Sequence, residues 1–430
     1  MQSDPRLRGV SRHASPHIRW GFSERTMTER IVIIGAGQAA AQAVATLRAE
    51  GFSGNLTVVG EEPFAPYQRP PLSKAYLSGA MERDRLFLKP DAFYADARCE
   101  LILGASATSI DRQNRVVSLA DGRSLAYDKL LLATGTRARS IPVPGATLPG
   151  VHYLRGIADV DRLRAAFAKG VRLAIVGGGY IGLEVAAVDV KHGLRVTVFE
   201  ALDRLMARAV SRELSNFYEG VHREAGVDLV LGAGVEAFEG GERLSDIRAG
   251  GRRHPADIAL VGIGVIPNVE LAKDSGLLCE DGIVVDDFSR TPDPMVFAAG
   301  DCTRHTTHNG ELVRLESVQN AIDQAKHAAL AMAGKPTAYR EVPWFWSDQY
   351  DLKLQMAGLA RPGDEVVLRG DPAGRKFAVF HLRNGAVAAV EAVNAAPEYI
   401  VGRKLIAEGA KVAPQRLADT SIPMKSIVSA

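Results

Sequence analysis

Cysteine is scarce in this 430-residue chain: only Cys99, Cys279 and Cys302 occur, far apart and with no CxxC. That spacing excludes a zinc knuckle or a redox-active dithiol built from sequence neighbours, and it fits a reducing cytoplasm. An excess of one charge is lacking too. The 52 basic and 50 acidic residues leave a net charge of +2, so no global basic field argues for nucleic acid. No apolar run reads as a membrane span, since the longest, over residues 31–47, is interrupted by Gln38 and Gln42. Residues 1–26 lack helix or strand periodicity and the apolar core of a secretory signal. They carry Arg6, Arg8, Arg12, Arg19 and Arg25 against Asp4 and Glu24, and are expected to be a disordered leader ahead of a natural start at Met27. With 47% hydrophobic and 24% charged residues, the remainder is ordinary for a soluble globular protein.

Glycine is what the chain has in the right places. Two glycine-turn fingerprints occur, Gly35-Ala-Gly37-Gln-Ala-Ala40 and Gly177-Gly-Gly179-Tyr-Ile-Gly182, each behind an apolar run (Ile31-Val-Ile-Ile, Leu173-Ala-Ile-Val) and ahead of a helical pattern. Glycines at such a turn let the backbone approach a pyrophosphate, and the helix N-terminus meets its charge. One such motif arises readily by chance. Two, both in strand–turn–helix context, imply two dinucleotides, and a hydride carrier facing a second redox cofactor is the economical reading: a flavoprotein fed by a nicotinamide.

The first unit begins at Arg30, with a helix over 40–50 and a strand over 56–59. A proline-rich stretch follows at 63–74, where a helix is expected only after Pro71. Asp121-Gly122 marks a hairpin between strands 115–119 and 124–125, and Leu130 to Gly135 reads as a buried strand running into a glycine turn. The second unit spans 171–200, with helix 181–191 and strand 195–199. Later come Ala259-Leu-Val-Gly262-Ile-Gly264, then Val296-Phe-Ala-Ala-Gly300-Asp301, and a helix over 317–332. From Pro336 the character changes to short strands (366–368, 377–382, 386–391) and a helix over 396–407. The first unit has too few strands before residue 136 to finish a sheet, so its missing pieces are expected from beyond 263, with the second unit inserted between. The expected domains are 27–136 with 263–334, 137–262, and an α+β domain over 335–430.

Several side chains are candidates for chemistry, each with a plainer explanation beside it. Glu200 ends the second strand of the second unit; a carboxylate there accepts both ribose hydroxyls of NAD and repels a 2′-phosphate, or it is a solvated strand end. Arg204, four residues on, would weaken that preference slightly. In the first unit the equivalent position is Gly60, so Glu61 is the candidate for the adenosine ribose, or half of a surface acidic pair with Glu62. Lys74, behind two prolines, would favour a reduced anionic flavin, yet a lone lysine is usually surface charge. Glu184 would pair with such a lysine, or complement the dipole in the first turn of its helix. The segment from Arg314 to Ala321 starts a helix whose N-terminus would stabilise negative charge on a flavin pyrimidine edge, or is an amphipathic surface helix. Trp344-Phe-Trp346 is either core of the tail domain, a ring beside a flavin, or an exposed docking feature.

Taken together, Pro66-Tyr-Gln-Arg69-Pro-Pro-Leu-Ser-Lys74, Ala133-Thr134-Gly135, Gly177-Gly-Gly179-Tyr180-Ile181-Gly182-Leu-Glu184, Gly264-Val-Ile-Pro-Asn268, Gly300-Asp301-Cys302, Glu316-Ser-Val318-Gln-Asn320 and Pro343-Trp344-Phe-Trp-Ser-Asp-Gln349 resemble, in this order, the NADH-dependent ferredoxin reductases. The likeness covers roughly residues 28–425, and its proline–lysine and tryptophan motifs are far more specific than the glycine pairs. It implies an α/β, glutathione-reductase-like fold of two Rossmann-type nucleotide-binding domains, one for FAD and one for NAD, plus the C-terminal α+β domain. It implies FAD contacts at Gly35, Gly37, Ala39, Ala40, Glu61, Arg69, Lys74, Ala107, Ala133, Thr134, Gly135, Arg155, Asp301, Val318 and Trp344. NAD contacts are implied at Gly177, Gly179, Tyr180, Ile181, Gly182, Glu184, Glu200 and Gly262, with Lys74 and Glu184 an ion pair near the reacting ring atoms. Two departures from the family pattern are Ala40, where a third glycine is common, and a shorter spacing before Arg155 than in at least one member.

The resemblance implies an enzyme with no metal of its own. It would pass a hydride from NADH to FAD and single electrons onward to a [2Fe-2S] ferredoxin serving a cytochrome P450 or a Rieske oxygenase. A cytoplasmic monomer or homodimer, without nucleic-acid or membrane partners, is expected. A disulfide or peroxide reductase needs a cysteine by the flavin, and none lies between Gly35 and Lys74. A rubredoxin- or nitrite-reductase-type electron carrier and a redox-sensing protein resembling apoptosis-inducing factor are the remaining alternatives. Arg83, Arg85, Lys89, Arg403 and Lys404 are candidates to steer an acidic ferredoxin, or simply solvated faces.

Overall fold

Two five-stranded parallel sheets, built alike, form the frame. The computed structural model describes residues 28–307 and 309–427, so the expected leader at 1–26 lies outside the described residues. In the first sheet the order is Val296–Ala298, Lys129–Leu132, Arg30–Ile34, Asn55–Gly60, Cys99–Leu103; in the second it is Asp228–Leu231, Arg195–Glu200, Arg172–Val176, Ile258–Val261, Val151–Tyr153. Every pairing within the two is parallel. Both central strands are buried on two faces, so they read as unbroken apolar runs.

The duplication extends to the strand ends. Arg30 binds Asp128 through its backbone N (2.8 Å), Nε (3.1 Å) and a terminal guanidinium nitrogen (3.1 Å). Arg172 binds Asp257 in the same three ways, at 2.8, 3.0 and 2.5 Å. Each arginine stands five residues before its fingerprint glycine. Each aspartate stands five before the residue, Ala133 or Gly262, that this glycine packs on. The pairs are a third or more exposed, so they hold register more than they stabilise.

The chain leaves the first sheet through Thr136–Ala138 and returns through Val265–Pro267, and these two segments pair antiparallel. Asn268 locks the crossing: its backbone O accepts from Thr134 Oγ1 at 2.7 Å and its Nδ2 donates to the Thr134 carbonyl at 2.9 Å. Val296–Ala298, from beyond the crossing, is the edge strand of the first sheet.

The tail is a five-stranded antiparallel sheet in the order Trp344–Gln349, Leu352–Gly358, Ala386–Val393, Lys376–Arg383, Glu365–Asp371, with helix Ala396–Ala407 packed on it. Its strands are longer than the apolar runs predict, because polar ends such as Glu365, Asp371 and Lys376 still pair through the backbone. Elsewhere, helices start earlier than expected. The fingerprint helices run Gln38–Ala49 and Tyr180–Asp189, their N-caps being the second glycines Gly37 and Gly179. The proline stretch also forms a 3-10 turn at Pro70–Ser73 rather than after Pro71, since prolines are tolerated where no helical N–H is needed. Among the described residues no helix is long and apolar enough to cross a membrane.

Asp189, at the end of the second fingerprint helix, is fully buried, and neither of its carboxyl oxygens has a partner. Burial pushes its carboxyl up to about 8. The folded chain thus keeps a proton that the unfolded chain releases above about pH 4, so this group weakens folding progressively as pH rises from about 4 to 8. Asp189→Asn is expected to raise the thermal midpoint at pH 8, with the gain shrinking toward zero near pH 4. Melting curves of both proteins across that range check it, and a gain independent of pH would refute it.

Candidate functional site

The glycines of the two fingerprints divide into tight and open. Gly35 has φ +108° and Gly177 has φ +109°; a Cβ on them would lie 2.1 Å from the Ala133 carbonyl oxygen and 2.4 Å from that of Gly262. Gly182 is tight as well, 2.3 Å from the Gly177 oxygen, whereas Ala40 occupies the matching place in the first unit and is fully buried. At Gly37 and Gly179, by contrast, a Cβ would meet nothing within 4 Å. Both of these N-caps lack a side-chain cap, so free helix N–H groups face an open hollow. That is the shape and polarity a pyrophosphate requires, so the two loops fit two dinucleotides.

The units differ where the second strand ends. The Gly60 Cβ position lies 2.5 Å from the Ala36 Cβ; at the matching contact the second unit pairs Gly178 with Glu200. A Cβ at Gly178 would meet Leu205 at 2.7 Å and Glu200 at 3.2–3.3 Å, so both contacts are close. Glu200 Oε2 accepts the Gly178 N–H at 2.8 Å and Oε1 accepts that of Leu202 at 2.8 Å, which aims the carboxylate at the glycine loop. In the first unit Glu61, one residue beyond, is exposed, while Glu62 is tied to Arg69 (2.7 Å) and Tyr67 (2.6 Å). Arg204 does not counter Glu200. Its guanidinium donates to the Ala207, Val210 and Ser211 carbonyls and to Ser215 Oγ at 2.6–3.3 Å, so the expected weakening lapses.

Lys74 and Glu184 meet. Lys74 Nζ lies 2.6 Å from Glu184 Oε2, with the two side chains 20% and 4% exposed. Ser73 Oγ donates to the same oxygen at 2.5 Å, and Ser347 Oγ donates to Oε1 at 2.7 Å. Glu184 is not in the first helical turn, since the helix starts at Tyr180. The dipole reading therefore fails, because that effect fades within one turn.

Around this pair the other candidates gather unevenly. Gly300 sits between Ala39 and Ala321, with a Cβ position 3.6 Å from each side chain, so the first fingerprint, the Gly300-Asp301-Cys302 turn and helix Val318–Met332 converge. That helix starts later than Ser317, which caps it by accepting the Asn320 N–H at 3.0 Å. Asp301 is half-buried, and its partial burial raises its carboxyl, while Arg155 at 3.5 Å and Arg69 pull it back. Arg155 Nε is buried without a partner, as in a site shaped for a further acceptor. Arg69 itself donates to the Arg155 carbonyl at 2.6 Å and to Glu62, so much of its guanidinium serves the fold. A Cβ on Gly135 would lie 3.5 Å from an Arg155 nitrogen, and Ala107 opens the strand Ala107–Asp111.

On the tail strand, Trp344 and Trp346 share one face, their rings 5.6 Å apart, and Phe345 on the other face stacks on Tyr180 at 4.7 Å. Ile181, at the start of the second fingerprint helix, is 40% exposed. Of the basic candidates, Arg83 is paired with Asp161 (2.8 Å) and Lys404 with Glu408 (3.7 Å), Lys89 lies over the Phe93 ring, and Arg403 lies 5.9 Å over the Trp344 ring. Among the described residues no cluster fit to hold a metal occurs. Sequence reasoning missed Ser73, Ser347, Gln349 and His222. The signal for two of them was there, since Phe345, Ser347 and Gln349 alternate on one strand face.

The pyridine nucleotide-disulphide oxidoreductase family model matches residues 29–325, and the reductase C-terminal model matches 344–428. The chain therefore belongs to the pyridine nucleotide-disulphide oxidoreductases, a flavoprotein that takes FAD and NAD(H). Within that class it is 46% identical to rhodocoxin reductase of Rhodococcus erythropolis over 403 residues, covering 93% of this chain and 94% of that protein. It is 40% identical to putidaredoxin reductase of Pseudomonas putida over 410 residues, covering 94% and 97%. Its structure matches that of the reductase in the covalent putidaredoxin reductase–putidaredoxin complex with a TM-score of 0.91 at 39% identity, covering 93% of this chain and 98% of that one.

The two kinds of glycine predict two kinds of failure. Gly177→Ala forces alanine to φ +109° against a carbonyl and is expected to cost about 2 kcal/mol or more in stability. Gly179→Ala is expected to leave the melting temperature unchanged while weakening NADH binding at least about tenfold, a loss near 1.4 kcal/mol. Calorimetry and NADH titration of the two variants check the split. Equal loss of stability in both would contradict the open hollow.

Proposed function

We propose that this chain is an NADH:[2Fe-2S] ferredoxin oxidoreductase, supplying electrons to a cytochrome P450 or a Rieske oxygenase. The observation that carries the reading is the buried Lys74–Glu184 pair, at 2.6 Å, joining the two glycine-loop units. The chlorobenzene dioxygenase ferredoxin reductase component of Cupriavidus sp. (40% identical over 405 residues) and the ferredoxin reductase for the CYP199A2 system from Rhodopseudomonas palustris (40% identical, TM-score 0.90) support both classes of terminal oxygenase. Cytoplasmic placement fits its three free cysteines.

FAD held here would supply hydride acceptance from the nicotinamide and release of electrons one at a time. The chain's own residues bind and orient. The loops at Gly37 and Gly179 receive the two pyrophosphates, and Glu61 and Glu200 receive ribose hydroxyls. Lys74 presents an ammonium, held by Glu184 and by the Pro70 carbonyl at 3.3 Å, where negative charge develops on reduction. The N-terminus of helix Val318–Met332, capped by Ser317, would add N–H groups that favour negative charge on the reduced ring. Domain assignments follow the crossing: 27–136 with 263–334 for FAD, 137–262 for NAD, and 335–430 as the third.

The test is NADH-driven cytochrome c reduction by the FAD-loaded protein with and without a [2Fe-2S] ferredoxin. A large ferredoxin-dependent rate is expected. A flavin that NADH reduces but that passes nothing to any ferredoxin supplied would favour a rubredoxin-type carrier or a redox sensor. Glu200→Ala is expected to lower the NADH-over-NADPH preference in kcat/KM about ten- to hundredfold, as losing hydrogen bonds to a charged acceptor does. Unchanged selectivity would remove Glu200 from the nicotinamide site.

A further inference from the structure

Behind the Lys74–Glu184 pair runs an unbroken line of buried polar side chains that ends near the surface. Ser347 Oγ, which donates to Glu184 at 2.7 Å, accepts from Gln349 Nε2 at 3.2 Å. Gln349 Oε1 lies 2.9 Å from His222 Nε2, and His222 Nδ1 lies 3.0 Å from the hydroxyl of half-buried Tyr350. Ser347, Gln349 and His222 are each 1% exposed or less. His222 belongs to helix Arg212–Glu224 of the second unit, while the other three follow one another on the tail strand and the turn after it.

The direction of every bond is fixed by the first. A carboxylate only accepts, so the Ser347 hydroxyl proton points to Glu184 and its oxygen can only accept from Gln349. The amide nitrogen therefore faces Ser347 and the amide oxygen faces His222, which puts the imidazole proton on Nε2. Burial lowers His222 to about 4, with Gln349 opposing, so the ring is neutral. Its Nδ1 is then a bare acceptor, and Tyr350 donates to it. Four successive donors point the same way, toward Glu184, and their dipoles add. The amide at Gln349 does not pass protons readily, so the line orients and polarises rather than conducts.

We propose that Ser347, Gln349, His222 and Tyr350 are positioning residues that hold the Glu184 carboxylate, and through it the Lys74 ammonium, in the geometry used for hydride transfer. This rests on the reading that the Lys74–Glu184 pair lies beside the bound flavin. Without Ser347, one Glu184 oxygen loses its donor while the Lys74 contact remains. The carboxylate can then rotate, so the effect falls on rate rather than on NADH affinity.

The test mixes the FAD-loaded protein with NADH anaerobically and follows flavin bleaching to a limiting rate and a Kd. Ser347→Ala is expected to lower the limiting rate about tenfold, with the Kd for NADH within about twofold of wild type. Ser347→Thr, which keeps the hydroxyl, restores most of it. Tyr350→Phe, at the far and less buried end, is expected to slow reduction about threefold alone and not at all in the Ser347→Ala background, because members of one network are not additive. It also carries the test if Ser347→Ala does not fold. Independently of turnover, ring-nitrogen NMR of His222, assigned with His222→Asn, is expected to show the neutral Nε2–H tautomer. Wild-type rates in the variants, additive effects, or an Nδ1–H tautomer would overturn the relay alone. A wild-type flavin that NADH does not reduce would overturn the functional reading and the relay together.

Discussion

A buried carboxylate is the constraint around which the three parts of this molecule are arranged. Glu184 is 4% exposed on the second fingerprint helix. An ionised group so placed is tolerable only with a counter-charge and its lone pairs satisfied. No partner within its own unit supplies these. Lys74 and Ser73 come from the first unit, on the 3-10 turn that its two prolines pre-shape, and Ser347 comes from the tail sheet. Removing Lys74 would leave the buried carboxylate without its counter-charge, held by two serine hydroxyls alone. The relative placement of the two nucleotide units and the tail is thereby tied to the chemistry of one residue.

Much of the fold was legible because it repeats. The strand–glycine–helix units were readable from apolar runs and turn glycines, and helix Ala396–Ala407 falls where its pattern predicts. What was not legible is set by contacts distant in sequence. The start of the helix at Tyr180, one residue before the expected start at Ile181, depends on Gly179 serving as N-cap, and it makes Glu184 the fifth residue of the helix, in its second turn. Arg204 read as a rival to Glu200 because sequence shows four residues between them, not the carbonyls that bind its guanidinium. Lys74 was indistinguishable from surface charge without the fold or the family resemblance. His222 carried no signal, since a lone histidine in a helix is most often core.

The duplicated units also show how one architecture takes two roles. At the strand end beside the glycine loop, the first unit sets Ala36 against a bare Gly60; the second sets a bare Gly178 against Glu200. The two turns thus differ in where the first acidic side chain after the strand stands, Glu200 at the strand end in one and Glu61 a residue beyond it in the other.

The tail sheet is gripped to the second unit rather than appended to it. Helix Arg212–Glu224 is held by it at both ends. At the start, Glu391 accepts the Ser211 backbone N–H at 2.9 Å and the Ser211 hydroxyl at 2.5 Å, an anion where the helix dipole favours one. At the end, His222 is held between Gln349 and Tyr350. Between these grips, Phe345 packs on Tyr180 and Ser347 reaches Glu184. The alternation of Trp344–Gln349 makes this arrangement possible: one face of the strand serves the second unit while the other presents its tryptophans away from it. A single strand thus couples the orientation of the carboxylate on one face to the placement of two tryptophans on the other.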